Sequence, residues 1–221
     1  MILGCNCVDR VAMISDRKIT ELEGTYLGNE TKMFGELTNV IFGCAGALDM
    51  ICLFRKYVVG DVTILRDSTT EKYTDGNLLS KLIDVMHMFR RVRSGNDFFL
   101  TVMVGRLVTN LPDLHVIDSH GRFDLDFTKQ WITIGSGRDQ ANPLLEQEFK
   151  KEGNMKDFAS LSYSIIKYIE EQDPKGSVGV RSERPNIAYL RYGAQSDSQP
   201  PEEDWKNFET SLPEYYSHFK K

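Results

Sequence analysis

Residues 2–20 read ILGCNCVDRVAMISDRKIT, and this stretch is the strongest indication of the fold. Two short apolar runs, 2–7 and 11–15, flank a polar turn at residues 8–10, which predicts that the chain opens with a β-hairpin. Further on, residues 39–46 (NVIFGCAG) are almost continuously apolar, as is typical of a strand buried on both faces. Paired strands ahead of the first helix favour an α+β fold over the regular alternation of a doubly wound sheet.

Helical periodicity accounts for much of the remaining chain. It predicts a first helix over 47–59, with one face formed by Leu48, Ile51, Cys52 and Phe54. After a polar loop at 61–76, Asn77 is expected to cap a second helix that runs to about residue 93. The other predicted elements are strands at 98–105, 114–118 and 131–134, a helix over 140–149, a long helix capped by Asn154 and ending near 172, and a closing hairpin formed by 177–180 and 187–191.

The composition changes at residue 194, so we predict a domain over 1–193 and an acidic, aromatic tail over 194–221. Residues 195–204 are polar and contain Pro200 and Pro201, which is typical of a linker. Aromatic and leucine side chains follow from Trp205 onward. Such a tail packs either on its own domain or on a neighbouring subunit.

Charge and composition exclude several classes of protein. The 221 residues are 41% hydrophobic and carry a net charge of −5, which is usual for a globular chain and unlike a broadly basic nucleic-acid binder. No apolar run approaches the roughly 18 residues of a membrane-spanning helix. Because no secretory signal is visible, we expect a cytoplasmic protein that in a eukaryote is also nuclear, with free thiols at its four cysteines.

Common catalytic and cofactor motifs are missing from the sequence. It contains no phosphate loop, dinucleotide fingerprint or nucleophile elbow. Cys5 and Cys7 have no partner pair at zinc-site spacing, and the four histidines are scattered. We therefore expect neither a metal nor a cofactor.

Five stretches in order resemble the proteasome β-type family of N-terminal-nucleophile hydrolases. They are residues 13–20 (MISDRKIT), 31–34 (TKMF), 42–47 (FGCAGA), 134–137 (IGSG) and 169–173 (IEEQD). Each is weak alone, but their order and spacing follow the family from about residue 1 to residue 192. The resemblance implies a four-layer αββα sandwich, two antiparallel sheets packed together with helices outside.

The resemblance also implies a site. In the family an N-terminal Thr hydroxyl attacks the substrate carbonyl, and a nearby lysine lowers the pKa of that nucleophile. Lys32 matches this lysine, and Asp16 matches the acid that pairs with it. Three further positions match by resemblance: Gly46, whose turn with Ala47 would bind the oxyanion through backbone N–H groups, and Ser136 and Asp173, which would bond around the terminal amine. A further family serine corresponds less well to Ser177, which is offset by one residue.

The sequence departs from the family at the nucleophile. Met1 stands at or one residue after the Thr position, and a thioether has no proton to lose. Cys5, released by cleavage after Gly4, is an alternative nucleophile, but the chain from Cys5 to Asp16 would be about five residues too short. Without a nucleophile, Asp16 and Lys32 would form an ion pair that only holds the hairpin.

Three functions remain open on this evidence. The first is a non-catalytic β-type subunit in a ring of proteasome-like partners. The second is an active threonine-type peptidase, acting on polypeptides, whose native N-terminus differs from the printed one. The third is a free-standing scaffold or binding protein on the same fold. None of them involves nucleic acid or a membrane.

Overall fold

A computed structural model describes residues 1–7, 10–20, 26–29, 31–37, 40–60, 75–92, 99–108, 111–124, 130–149, 154–172, 176, 178–180, 184–191 and 202–219. The strands are β1 (Ile2–Cys7), β2 (Arg10–Ser15), β3 (Lys18–Thr20), β4 (Tyr26–Asn29), β5 (Met33–Leu37), β6 (Val40–Gly46), β7 (Leu100–Val108), β8 (Leu111–Ile117), β9 (Phe123–Asp124), β10 (Trp131–Ile134) and β11 (Asn186–Arg191). The helices are α1 (Leu48–Gly60), α2 (Asp75–Val92), α3 (Arg138–Glu148), α4 (Met155–Gln172) and α5 (Glu202–Phe219).

The strands form two larger antiparallel sheets and a two-stranded one, so the fold is α+β as predicted. The four-stranded sheet has the order β10-β1-β2-β11, and the five-stranded sheet runs from β5 to β9 in sequence order. β3 pairs with β4. The predicted opening hairpin is confirmed, because β1 pairs with β2 from Ile2↔Ser15 to Cys7↔Arg10.

Alternation along β2 explains how its sheet is buried on both faces. Val11 and Met13 point into a cluster that contains Ile41 and Met103 of the five-stranded sheet. Ala12 and Ile14 point the other way, into a cluster with apolar side chains of α3, α4 and α5. Successive strand residues face opposite sides, so an uninterrupted apolar run is what a doubly covered strand requires.

The five-stranded sheet is covered by the first two helices. Phe42 and Val104 lie in a third cluster with Phe54 of α1 and Leu82 of α2. The three clusters thus differ in membership: one contains side chains of the four-stranded sheet and α3–α5, one contains side chains of both sheets, and one contains side chains of the five-stranded sheet, α1 and α2.

Helix α4 matches its prediction closely. The Asn154 side-chain oxygen accepts a hydrogen bond from the Asp157 N–H at 3.0 Å, the contact expected of an N-cap. The apolar spacing along this helix predicts an inward face of Phe158, Leu161, Ile165, Ile166 and Ile169, and all five side chains are buried.

Helix α1 turns inward a face that matches the predicted one in part, since Ile51 and Phe54 are buried as predicted. Leu48 and Cys52 are exposed, whereas Met50, Phe54 and Val58 are buried. Met50, Phe54 and Val58 recur at four-residue spacing and form a stripe of their own. The prediction was wrong for Leu48 and Cys52 because the apolar residues of this helix cover more of its circumference than one stripe. Which of these residues face inward depends on contact with the sheet.

The predicted closing hairpin is wrong. Residues 178–180 are not in a strand, and β11 pairs with β2. The Gly179 carbonyl instead accepts hydrogen bonds from the N–H groups of Arg17 and Lys18, at 3.2 and 3.1 Å. These bonds attach the segment to the end of β2, so it is not free to pair with β11.

Two other boundaries differ from the predictions. α2 begins at Asp75, so Asn77 lies in its first turn instead of preceding it. α5 begins at Glu202, so the predicted linker ends before residue 204. Residues 8 and 9 of the predicted turn and residues 61–74 of the predicted loop at 61–76 lie outside the described residues. Among the described helices none is long and apolar enough to cross a bilayer.

Candidate active site

Three residues that flank strands meet at one end of the two sheets. Met1 precedes β1, Asp16 follows β2, and Lys32 precedes β5. The register of β1 against β2 places Met1 opposite Asp16, and the Asp16 N–H donates to the Met1 carbonyl at 3.2 Å. The Cys44 N–H donates to the Lys32 carbonyl at 2.8 Å, which ties Lys32 to β6. The local pairing of each sheet therefore brings these residues to the same place.

The Asp16 carboxylate is the centre of this group. Its Oδ1 lies 2.6 Å from the Lys32 Nζ and 2.7 Å from the Met1 nitrogen. Its Oδ2 accepts a hydrogen bond from the Gly179 N–H at 3.2 Å. Since Asp16 extends one sheet and Lys32 the other, their ion pair also links the two sheets.

Burial determines the charge of the Met1 amine. The Met1 amine and the Asp16 carboxylate are fully buried, and the Lys32 side chain is 11% exposed. Loss of solvation outweighs the attraction of Asp16, while the charge of Lys32 opposes a second cation, so the pKa of the amine falls from 8.0 to about 5. At neutral pH the amine is therefore uncharged and donates a hydrogen bond to Asp16, which keeps Lys32 as its ionic partner.

The turn after β10 passes close to Met1. Gly135 has a φ of +86°, and a Cβ added there would lie 3.6 Å from the Met1 nitrogen and 3.0 Å from the Ala45 Cβ. The next residue, Ser136, is exposed. Within the described part of the chain, no hydrogen bond joins Ser136 to Met1, Asp16 or Lys32, so the structure places this predicted residue near the group but not bonded to it.

The turn at Gly46 is shaped by its contact with Phe99. Gly46 has a φ of +146°, and a Cβ there would collide with the Phe99 carbonyl. That same carbonyl accepts a hydrogen bond from the Ala47 N–H at 3.0 Å. Of the two backbone N–H groups predicted to bind an oxyanion, the one of Ala47 is therefore already engaged. Asp173 and Ser177, the other two predicted positions, lie outside the described residues.

Cys5 has the properties of a core thiol. It is fully buried, and the Cys7 thiol donates to its sulfur at 3.8 Å. The hydrogen bond from Cys7 and the burial both raise the pKa of Cys5 far above its ordinary range, so the reactive thiolate is suppressed. Its side chain joins Leu3 in the cluster beneath the helices, not the one between the sheets. These features argue against Cys5 as a hidden nucleophile.

Sequence reasoning missed Gly179, which lies 163 positions from Asp16 and bonds only through its backbone. It also missed Ser15 and Asn186, which are paired across β2 and β11 and are both buried. Their Ser15 Oγ and Asn186 Nδ2 atoms have no hydrogen-bond partner within the described residues. Because both contacts, Gly179 with Asp16 and Ser15 with Asn186, join distant segments, no local signal could have found them.

The comparison with protein families identifies the group to which these features belong. A family model described as Proteasome subunit matches residues 1–182. This chain belongs to the proteasome subunit family. No curated protein matches it.

The proteasome-family match covers the whole group around Asp16. Met1, Lys32, Gly46 and Ser136 all fall within residues 1–182, and β11 and α5 lie beyond them. Membership connects the chain with N-terminal-nucleophile hydrolases and with proteolysis. It also implies assembly with other proteasome subunits.

Proposed function

We propose that this chain is a non-catalytic β-type subunit of a proteasome-like assembly. The observation that carries the proposal is the closed group formed by Met1, Asp16 and Lys32. Lys32 is the cation that would activate a nucleophile, and its Nζ lies 2.6 Å from Asp16. The neighbouring side chain at the family's nucleophile position is the Met1 thioether, which has no proton to lose and is 1% exposed.

The proposal extends to the architecture. A four-layer αββα sandwich would have one core cluster between the sheets and one beneath each helical layer. The three clusters support this arrangement, since each joins the expected pair of layers. In such a subunit the sheets and the Asp16–Lys32 pair act as structure, and the partners are other proteasome-like subunits. We place this assembly in the cytoplasm, and in a eukaryote also in the nucleus.

A second candidate is an active threonine-type peptidase acting on polypeptides. The observation that favours it is the retention of Asp16 and Lys32 in direct contact, because catalysis needs a lysine held charged beside the nucleophile. Gly46, Ser136 and Asp173 would then be supporting positions of that site. This candidate requires a native chain that begins with Thr, or with Cys5 after cleavage.

The test combines an intact mass and N-terminal sequence of the native protein with a covalent probe for N-terminal nucleophiles. The proposal expects an N-terminus at Met1 or Ile2 and no mass added by the probe. An N-terminal Thr or Cys5 with one probe bound per chain would overturn it in favour of the peptidase.

Sedimentation of the same native sample tests the assembly. A particle of hundreds of kilodaltons that contains other subunits of the family is expected. A lone chain would instead support the scaffold or binding protein. A catalytically active proteasome that contains this chain provides the positive control for the probe.

A further inference from the structure

Two neutral polar side chains interrupt an apolar face of the four-stranded sheet. Ser15 ends β2 and Asn186 begins β11, and the register of the two strands places these residues directly opposite each other. Because side chains alternate along a strand, Ser15 shares a face with Met13, and Asn186 shares one with Ala188. Met13 and Ala188 both belong to the cluster that contains side chains of both sheets. The polar pair is therefore turned toward the five-stranded sheet.

Both side chains are buried and each has an unpartnered atom. Ser15 is fully buried, and Asn186 is 5% exposed. Within the described part of the chain, the Ser15 Oγ and the Asn186 Nδ2 accept or donate no hydrogen bond, and they do not bond each other. A buried polar group without a partner destabilises a fold, so nearly all such groups bond either to the protein or to ordered water. The pair thus requires a ligand that bonds to both atoms.

The chemistry of the two groups defines this ligand. The amide nitrogen of Asn186 only donates, whereas the hydroxyl of Ser15 both donates and accepts. A cation would be repelled by the amide N–H groups. An anion would need an unpaired cation, but Lys32, the buried cation beside this end of β2, contacts Asp16 at 2.6 Å. A neutral molecule that both accepts and donates meets the requirement, and water is the smallest such molecule.

The pair also lies where solvent can reach it. β11 is at the edge of its sheet and has β2 as its neighbour there. The next residue on the same face, Ala188, has a small side chain that is 8% exposed. A buried water usually makes about three hydrogen bonds, so a site with two protein partners at a sheet edge leaves one bond for solvent.

We propose that Ser15 and Asn186 form a binding site for one ordered water molecule, which joins the edge strand β11 to β2 at the residue before Asp16. The water accepts a hydrogen bond from the Asn186 Nδ2 and bonds to the Ser15 Oγ. It therefore adds a side-chain link to the backbone pairing of the two strands. The inference is independent of the proposed function, because the site is the same in a catalytic and in a non-catalytic chain.

A high-resolution crystal structure of the full chain tests the site directly. We expect a solvent peak within about 2.7–3.2 Å of both the Ser15 Oγ and the Asn186 Nδ2. A direct hydrogen bond between the two side chains, a bond from either of them to another segment, or a pair with no solvent peak would overturn the proposal. A peak with the scattering and coordination of an ion would overturn the assignment to water. This measurement uses the parent protein and does not depend on the folding of any variant.

A matched pair of serine variants tests the role of the hydroxyl. Ser15→Ala should lose the solvent peak, because one of its two protein partners is gone. Ser164→Ala is the control, since the Ser164 Oγ is equally buried but donates to the Ser160 carbonyl at 2.8 Å. The control should keep the peak between Ser15 and Asn186. A peak that persists in Ser15→Ala would show that the hydroxyl does not hold it.

Urea unfolding measures whether the two side chains share one ligand. Ser15→Ala and Asn186→Leu should each raise the equilibrium constant of unfolding about tenfold, because each leaves the other polar group buried without its bridge. The double variant should raise this constant by less than the product of the two, since no polar group then remains to be satisfied. Effects that multiply in full would contradict a shared water.

Discussion

The Asp16 carboxylate makes three buried polar contacts through its two oxygen atoms. One carboxylate oxygen contacts both Lys32 and the Met1 amine, and the other accepts the Gly179 N–H. All of these contacts are buried, so water can replace none of them without opening the core. The carboxylate thereby fixes the end of β2 against three separate segments.

Replacing Asp16→Asn should destabilise the protein by about 3–5 kcal/mol, because it leaves the buried Lys32 ammonium without its counter-ion. Urea unfolding measures the loss. The double variant Asp16→Asn with Lys32→Met is the control, and it should recover much of the stability since no buried charge remains. Equal losses in the single and double variants would contradict a role for the ion pair.

The Met1 amine should make stability depend on pH between about 5 and 8. Its pKa is about 5 in the folded chain and 8.0 when exposed, so over this range the unfolded chain binds the extra proton. The free energy of unfolding should therefore rise as the pH increases from about 5 to 8. The pKa difference of 8.0 − 5 = 3 corresponds to a rise of up to about 4 kcal/mol. This stabilisation should be lost again as the pH falls to 5. The ¹⁵N shift of the Met1 amine reports the same titration directly. A midpoint near 8.0 would show that the amine is solvated.

Among the secondary-structure elements, α4 has the clearest sequence origin. Its N-cap and its apolar spacing were both recognisable, and both occur in the structure. The cap satisfies one of the backbone N–H groups that a helix leaves unpaired at its start. Its contribution is therefore local and can be measured separately from the packing of the helix.

Asn154→Ala should lower the free energy of unfolding by about 1 kcal/mol, since the Asp157 N–H loses its side-chain acceptor. Asn154→Asp is the matched control and should cost little, because a carboxylate caps as well as an amide. Thermal unfolding followed by circular dichroism distinguishes the two. A loss of equal size in both variants would point to a contact other than the cap.

On the scale of the whole molecule, the apolar side chains of the described residues form three clusters that involve both larger sheets. Both tryptophans, Trp131 and Trp205, lie in the cluster beneath α4. Phe54 lies in the cluster that contains side chains of the five-stranded sheet, α1 and α2. The remaining cluster contains side chains of both sheets. If the molecule unfolds as a unit, a substitution in the cluster of Phe54 should therefore also lower the stability that the two tryptophans report.

Phe54→Ala tests this coupling. Phe54 is fully buried, and its ring centroid lies 6.0 Å from that of Phe42 and 6.1 Å from that of Phe34. Truncation to Ala should therefore lower the free energy of unfolding by about 3–5 kcal/mol. The neighbouring Leu53→Ala, at a side chain 39% exposed, should cost less than about 1 kcal/mol. Tryptophan fluorescence should report the full loss for Phe54→Ala. A fluorescence transition unchanged from the parent protein would show that the two sides unfold separately.

The local features of the sequence determined the opening hairpin, β10 and the cap and inward face of α4, because alternation, turn residues and capping act between neighbours in the chain. Asp16 and Lys32 were found through family resemblance, and the short strands β3, β4 and β5 were not predicted. Tertiary structure alone decided that Gly179 binds Asp16, that Met50 rather than Leu48 faces the sheet, and that α5 covers α4. Those contacts join segments that are distant in the sequence. The free energy that favours them arises only after both segments have come together in the folded chain.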